Sequence, residues 1–589
     1  MKKIMQLLSL AIMLSAVLFI QSCDDEENIQ PAPSVTLDAS SGQAVPGASV
    51  TINATVSAPN GGQSLVVYVA GVEEEAYDMA GAADFAQEFT YAVPANAVIG
   101  STIVISFQAI DSRNYPSAIS NYTLTVGDPV ITLQGNLATM ELTAGQTYLI
   151  KGQTFVPSGV TLTIPAGTVI KGDKASKGTL IVQPGGKLVA NGTAANPVVF
   201  TSAQAAGERD RGDWGGIVML GNAWVNQTAL PAIEGISPTQ NYGNITSPTT
   251  NADQNAGTLT YVRIEYAGIE LTPNNETNSL TMGGVGNGTT INHVQVSFGG
   301  DDGFEWFGGT VNAKHLVSLS TWDDDFDTDY GWGGNVQFGL VIRNPFFADQ
   351  SGSNSFESDN QANANATPAN EAGYTRGVFS NITVLGPRDF NSPSRTISAN
   401  YQNTIHIRRR TSISIFNSVF AGFRIGLRLD DQATYDNFIT NGLGKLAYNT
   451  LLVPGVKVTG TSTSDAEASF VTGLSAGDAA ALKTYWDANN NTTMNPTAAT
   501  GAGSWTSAEN PYTALGINAS LFWGGQTSST YPSNPSFAVT TGTLTNTGNF
   551  SDAKLSGNTF FEATTYQGAF GTTDWTDGWA EFQPLNKAF

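Results

Sequence analysis

Beyond residue 130 the apolar residues recur at alternate positions in short runs, and the runs stop at proline or glycine. Val160-Thr-Leu-Thr-Ile-Pro-Ala-Gly-Thr-Val-Ile-Lys-Gly172 is echoed by Thr179-Leu-Ile-Val-Gln-Pro-Gly-Gly-Lys-Leu-Val-Ala-Asn-Gly192, with Pro165 over Pro184 and Val169 over Leu188, an offset of 19 residues. Three later segments, 261–270, 293–302 and 315–324, also superpose. Each opens on an aromatic or imidazole ring, passes through a short strand and ends in acid. The last two keep register further, so that Asp301, Asp302, Phe304 and Glu305 match Asp323, Asp324, Phe326 and Asp327. Repeats of about 20 to 30 residues with one short strand each mark a solenoid. No helical periodicity supplies the crossovers that a flat parallel sheet needs. The pattern therefore predicts an all-β chain whose 130–589 portion is a right-handed parallel β-helix.

The stretch 35–127 alternates differently. Its short strands are separated by turn-rich segments, as in an antiparallel immunoglobulin-like β-sandwich, here a spacer. The Val-Glu-Glu-Glu run at 72–75 reads as a solvated loop, and Gly127-Asp128-Pro129 as the boundary. Within the solenoid, 213–221 and 413–422 are further turns, with Trp214 packing a corner. Polar insertions at 226–258 and 350–375 are too long for quiet turns and become rim loops. Segment 475–487 is the only convincing helix, set over the flank or end of the coil. The aromatic ending 566–579 is placed to cover the last turn, since solenoids need capped ends.

Composition agrees: 63 glycines and only 13% charged residues suit tight turns and strands. A net charge of −23 argues against nucleic acid and against docking on anionic lipid through a basic patch. The start of the chain changes the picture more. Lys2 and Lys3 precede an apolar run over 4–20 that ends in Ile20-Gln21-Ser22-Cys23, which resembles the lipobox of bacterial lipoprotein precursors. Residues 1–22 read as a signal peptide, and Cys23, the single cysteine, as the residue that carries acyl chains after cleavage. Asp24, Asp25, Glu26 and Glu27 open an acidic tether over 23–34; the run resembles the acidic export signal of surface-displayed bacterial lipoproteins, while on charge alone it is equally a solvated leash.

Candidate chemistry gathers where the repeats end in acid. Asp301, Asp302, Glu305, Asp323, Asp324, Asp325 and Asp327 would stack as a column at the strand spacing of about 4.8 Å. Two carboxylates about 5 Å apart repel by roughly 3 kcal/mol at an effective dielectric near 20. A cation, an arginine, proton uptake or outward splaying must relieve that. Ca²⁺ suits such an all-oxygen site, and a bare solvated acidic face is the alternative. His293 and His315 share one register position and read as a stacked ladder rather than a metal pair. Trp306 and Trp322, beside glycines and acids, are candidates to stack on a sugar ring. His406, Arg408, Arg409, Arg410, Arg424 and Arg428 fall in two neighbouring turns; they would bind an anionic ligand, or pair with Asp430, Asp431 and other local acids.

The lipobox, the Asp-Trp-Gly-Gly-Ile turn, the Asp-Asp-Gly-Phe-Glu-Trp-Phe-Gly-Gly and Trp-Asp-Asp-Asp-Phe-Asp runs, and the Gly-Ala-Phe…Asp-Trp ending resemble one family. It comprises large β-helix outer-membrane lipoproteins of Bacteroidota and spirochaetes, often misleadingly called multidrug transporters. The resemblance covers roughly 130–589 and implies a pectin-lyase-like solenoid. It also implies lipid anchoring on the outer membrane, cell-surface exposure and association with a TonB-dependent receptor. It carries no assigned activity. β-Helices also house Ca²⁺-dependent polysaccharide lyases and glycoside hydrolases. Yet no lyase signature surrounds the arginines, no acid pair stands out, and neither a nucleophile elbow nor a phosphate loop is present. The reading from sequence is a ligand- or partner-binding accessory of an uptake system, with polysaccharide cleavage as the alternative.

Overall fold

The computed structural model describes residues 30–589 apart from 128, 273–274, 366–370, 389–396, 454–467, 475, 495–510 and 524–530. The expected leader and Cys23 lie outside the described residues. The chain divides into two compact units between Pro129 and Val130.

The first unit is two facing sheets. Ser34–Leu37, Ser49–Ser57 and Asp84–Ala92 form one, and Ser41–Ala44, Ser120–Val126, Thr102–Asp111, Gly62–Val69 and Val72–Asp78, in that order, form the other. Alternation does the work: Ile52, Ala54 and Val56 from one strand meet Leu65, Val67, Ile105 and Phe107 in a shared core. The acidic run 72–75 is not the expected loop. It begins the edge strand Val72–Asp78, paired along Gly62–Val69, and its exposed glutamates discourage further strand pairing there.

The second unit is a parallel β-helix, one continuous sheet of 26 strands. Through its middle each coil contributes a short strand and then a long one bent part-way. The bend is a residue with left-handed backbone, at Tyr261, His293, His315, Phe338, Asn381, Asn417 and Tyr448 in successive coils. The expected superposition holds, since Val262 pairs with Val294, Val294 with Leu316, Phe304 with Phe326 and Glu305 with Asp327. The 19-residue offset does not hold. Leu162 pairs with Leu188, 26 residues on, Pro165 lies beside Asn191 and Val169 beside Val199. Strand–Pro–Gly–strand recurs at different corners of one coil, so the echo compares two faces rather than two coils.

One end is closed as expected and the C-terminal segment is placed differently. The helix Ala476–Ala488 caps the last described coils, burying Leu482 and Trp486 in the main core. The C-terminal segment instead runs back along the flank as a strap. Asn549 bonds Asn417, Glu562 bonds Gln337, Glu581 bonds Gln295, and the carbonyls of Pro584 and Phe589 accept from Arg209 and Lys171 of early coils. It covers outward apolar residues such as Leu319, Leu340 and Ile342 with Phe522, Phe570 and Phe582. Each apolar side chain covered in this way is surface removed from water, which stabilises the fold in proportion to its area. Among the described residues no helix is long and apolar enough to cross a membrane.

Candidate functional site

One face of the coil carries the expected column. The outward position of its strands reads, in register, Ile181, Val218, Thr281, Glu305, Asp327, Glu357, His406 and Arg428. The apolar beginning is roofed by the 226–258 insertion, where Ile236 and Tyr242 pack on Ile181 and Val218. Where the roof ends, the column turns acidic and then basic. A parallel stack runs at the strand entrance. Asp302 accepts the backbone N–H of Asp324 at 2.8 Å, Asp324 that of Asn354 at 2.5 Å, and Asn354 that of Asn403 at 3.1 Å.

Two groups of carboxylates converge and share Asp302: Asp301, Asp302 and Asp323, and Asp302, Glu305 and Asp327, each with oxygens within 4.8 Å of one another. Burial, then repulsion from neighbouring carboxylates, pushes these acids up, Asp301 to about 7 and Asp302, Glu305, Asp323 and Asp327 well above the carboxylate range. One oxygen each of Asp323 and Asp327 is buried without a hydrogen-bond partner. Hard oxygen donors, crowded and partly unsatisfied, fit a Ca²⁺ ion. The remaining two acids of the expected set do other work. Asp324 is held by Asn354 and is likewise raised by burial to about 7. Asp325 sits at the corner before the strand and turns inward, fully buried, to Ser318 at 2.6 Å and Arg343 at 3.1 Å. It is a structural ion pair and no part of a surface metal site.

The aromatic and basic expectations also separate. Trp306 is wholly enclosed in the core against Phe304 and Trp332, so no sugar can stack on it. Trp322 is partly exposed, but the guanidinium of Arg211 covers its ring at 3.5 Å and its Nε1 donates to Asp349 at 2.7 Å. These residues line a groove of about 560 Å³ with Glu270, Glu276 and the exposed Phe346. Asp301 feels the charge of Glu276, and Ser351 beside the groove donates to Asp323, so groove and acidic column adjoin.

Arg408 bonds both Glu357 and Asp359, Arg409 bonds Asp359 at 2.6 Å, and Arg428 bonds Asp430 at 2.9 Å. His406 lies between Glu357 at 3.5 Å and Asp430 at 2.9 Å. The local pairing that competed with ligand binding is thus what the structure shows. Although burial opposes it, these contacts hold Glu357 below the usual carboxylate range and Asp430 at about 2, and raise His406. Arg410 and Arg424 flank opposite ends of the strands; Arg424 reaches the carbonyl of Ala399 at 3.4 Å, and the backbone N–H of Arg410 donates to Thr434. Glu357 and Asp359 are not among the candidates the sequence points to, although Phe356-Glu357 repeats the Phe-acid pair of Phe304-Glu305 and Phe326-Asp327.

A family model described as a pectate-lyase like beta helix domain matches residues 135–511. The chain belongs to the pectate-lyase-like β-helix family. No curated protein matches it. A solved structure of fibronectin(III)-like modules of Clostridium thermocellum CbhA is 24% identical over 17% of this chain and 48% of that one, with a TM-score of 0.14, and carries no argument. Within this pectate-lyase-like β-helix, a lyase that used an arginine as its base would need one able to shed its proton. Burial lowers the pKa of Arg408, but the two carboxylates that clamp it outweigh this and raise it, so it is poorly suited to that role.

Proposed function

We propose that this protein is a cell-envelope binding protein that captures a polysaccharide with the help of Ca²⁺, as accessory to a TonB-dependent uptake system. The observation that carries the reading is the contrast along one column. Its cations are already neutralised by Glu357, Asp359 and Asp430, while Asp301, Asp302, Glu305, Asp323 and Asp327 crowd together beside an open groove. Such a face collects a cation, and a cation with open positions recruits sugar hydroxyls or carboxylates. Asp301, Asp302, Glu305, Asp323 and Asp327 would hold it, and Phe346 offers an exposed ring nearby. The lipobox at Cys23 supports anchoring on the outer membrane, facing outward, and the sandwich then spaces the coil from it.

Polysaccharide cleavage is the second reading, favoured by one pair. Glu357 is held ionised one rung from Asp327, which is pushed up, and carboxyls about 5 Å apart are the spacing of retaining glycosidases. The test separates the two. The soluble form lacking residues 1–23 is incubated with Ca²⁺ and a panel of anionic and neutral polysaccharides. Binding lost on chelation, without turnover, is expected; turnover abolished by Asp327→Asn or Glu357→Gln would overturn the binding-only reading. Cys23→Ala should release the full-length chain to the soluble fraction, and unchanged membrane retention would refute the anchor.

A further inference from the structure

A different face of the coil holds a cleft of opposite character. The strands Val378–Leu385, Ser414–Phe416 and Lys445–Ala447 pair there in succession, away from the acidic column. Between their entrances and the strap opens a cleft of about 370 Å³, lined by Arg376, Val378, Ser412, Leu443 and Lys554. That volume lies at the lower end of the range for small-molecule sites.

Its charge runs against the composition. The chain has 26 basic and 49 acidic residues, yet Arg376, Lys445 and Lys554 meet here around the single carboxylate of Asp552. Lys445 takes that carboxylate at 2.6 Å. Lys554, on the short strap helix Ala553–Ser556, reaches only neutral acceptors, Ser414 Oγ at 2.8 Å and the carbonyl of Leu443 at 2.6 Å. Neither Lys554 nor Arg376 belongs to an ion pair among the described residues, and Arg376 is exposed. Ser412 Oγ gives its proton to the carbonyl of Thr375, so it is left to accept from a ligand hydroxyl. Val378 and Leu443 supply apolar wall.

We propose that this cleft binds a hydroxylated small anion, a sugar-sized ring bearing a carboxylate, sulfate or phosphate group. The Arg376 fork grips the oxyanion in bidentate fashion, Lys554 adds a point charge, and Ser412 takes a ring hydroxyl. The inference stands apart from the acidic column, because it needs no metal.

The test uses the chain lacking residues 1–23 in excess EDTA, so that a failure reports on this cleft alone. Calorimetric titration with galacturonate, glucose 6-sulfate, glucose 6-phosphate and inorganic sulfate distinguishes the sources of the oxyanion, with galactose as the neutral control. At least one sugar anion is expected to bind saturably and more tightly than galactose. Arg376→Ala, at an exposed side chain without an ion-pair partner, should keep the wild-type Tm and weaken that binding about tenfold or more. Lys483→Ala, on the capping helix, should change nothing. No saturable binding by any sugar anion, or unchanged binding in Arg376→Ala, would overturn the proposal, as would a preference for inorganic sulfate alone.

Discussion

Seven successive coils bend at a residue in left-handed backbone, and none of the seven is glycine. That conformation costs an L-residue about 1 kcal/mol or more, so something must hold it. For four of them stacking does: Tyr261, His293, His315 and Phe338 lie face to face with ring centroids 4.3, 4.2 and 5.0 Å apart, edged by Trp575 and Trp579 of the strap. The shared register of the two histidines was legible in the sequence; the backbone that imposes it was not, since sterics favour glycine there. Burial pulls His293 down to about 4 and His315 to about 3, while the carboxylates around His406 raise it. These are the chain's three histidines. A ¹⁵N NMR titration should therefore show one imidazole protonated at pH 5.5 and two neutral; three titrating together near 6.5 would contradict the stack.

A strand sorts its side chains by parity, and most of the site follows from that rule. Phe304, Glu305 and Trp306 alternate in, out, in, which places Glu305 on the outer side of the sheet, although it is buried there among its neighbours, and Trp306 in the core. Proximity to glycines and acids suggested the opposite for Trp306, and the alternation was the better guide. Parity also explains where the sequence misleads. Asp325 has the same parity as Asp327, yet it precedes the strand, where the chain still turns, and it points inward to Arg343. Corners obey no period, so no pattern announces such a residue. Trp306→Ala should cost about 3–5 kcal/mol, as for other large buried aromatics. Urea denaturation checks this. Polysaccharide binding by the protein that remains folded should be unaltered, whereas a selective loss of binding at unchanged stability would return Trp306 to the surface.

Across the whole molecule, the acidic column should set how stability answers to pH and, on the proposed function, to Ca²⁺. Asp301 and Asp324 rise from an ordinary 3.8 to about 7 on folding. A carboxyl raised on folding stabilises the fold while protonated, fully below about pH 4, and the contribution is lost as pH climbs through about 7. The neutral histidine pair works the other way, costing stability as pH falls below 6.5. Metal-free protein should therefore lose Tm between pH 6.5 and 8. Ca²⁺ at a hundred times its Kd would return about 2.7 kcal/mol by mass action, more visibly at pH 8 than at pH 5 where protons compete for the same oxygens. Calorimetry at the two pH values checks this, and equal or absent shifts would remove the cation from the column.

The strap has a different consequence. A solenoid is a stack whose members touch only their neighbours, so each end can fray without consulting the middle. Here a single segment is bonded in turn to Asn417, Gln337, Gln295, Arg209 and Lys171, like a thread sewn down the spine of a book. No early page can lift away without pulling the stitching from the pages beyond it. Local opening of the first coils is thereby tied to the centre, and the array behaves as one volume. The last stitches, at Pro584 and Phe589, lie 375 and 418 residues along the chain from the Arg209 and Lys171 they hold, so during synthesis the early coils remain unbound until those distant residues have emerged.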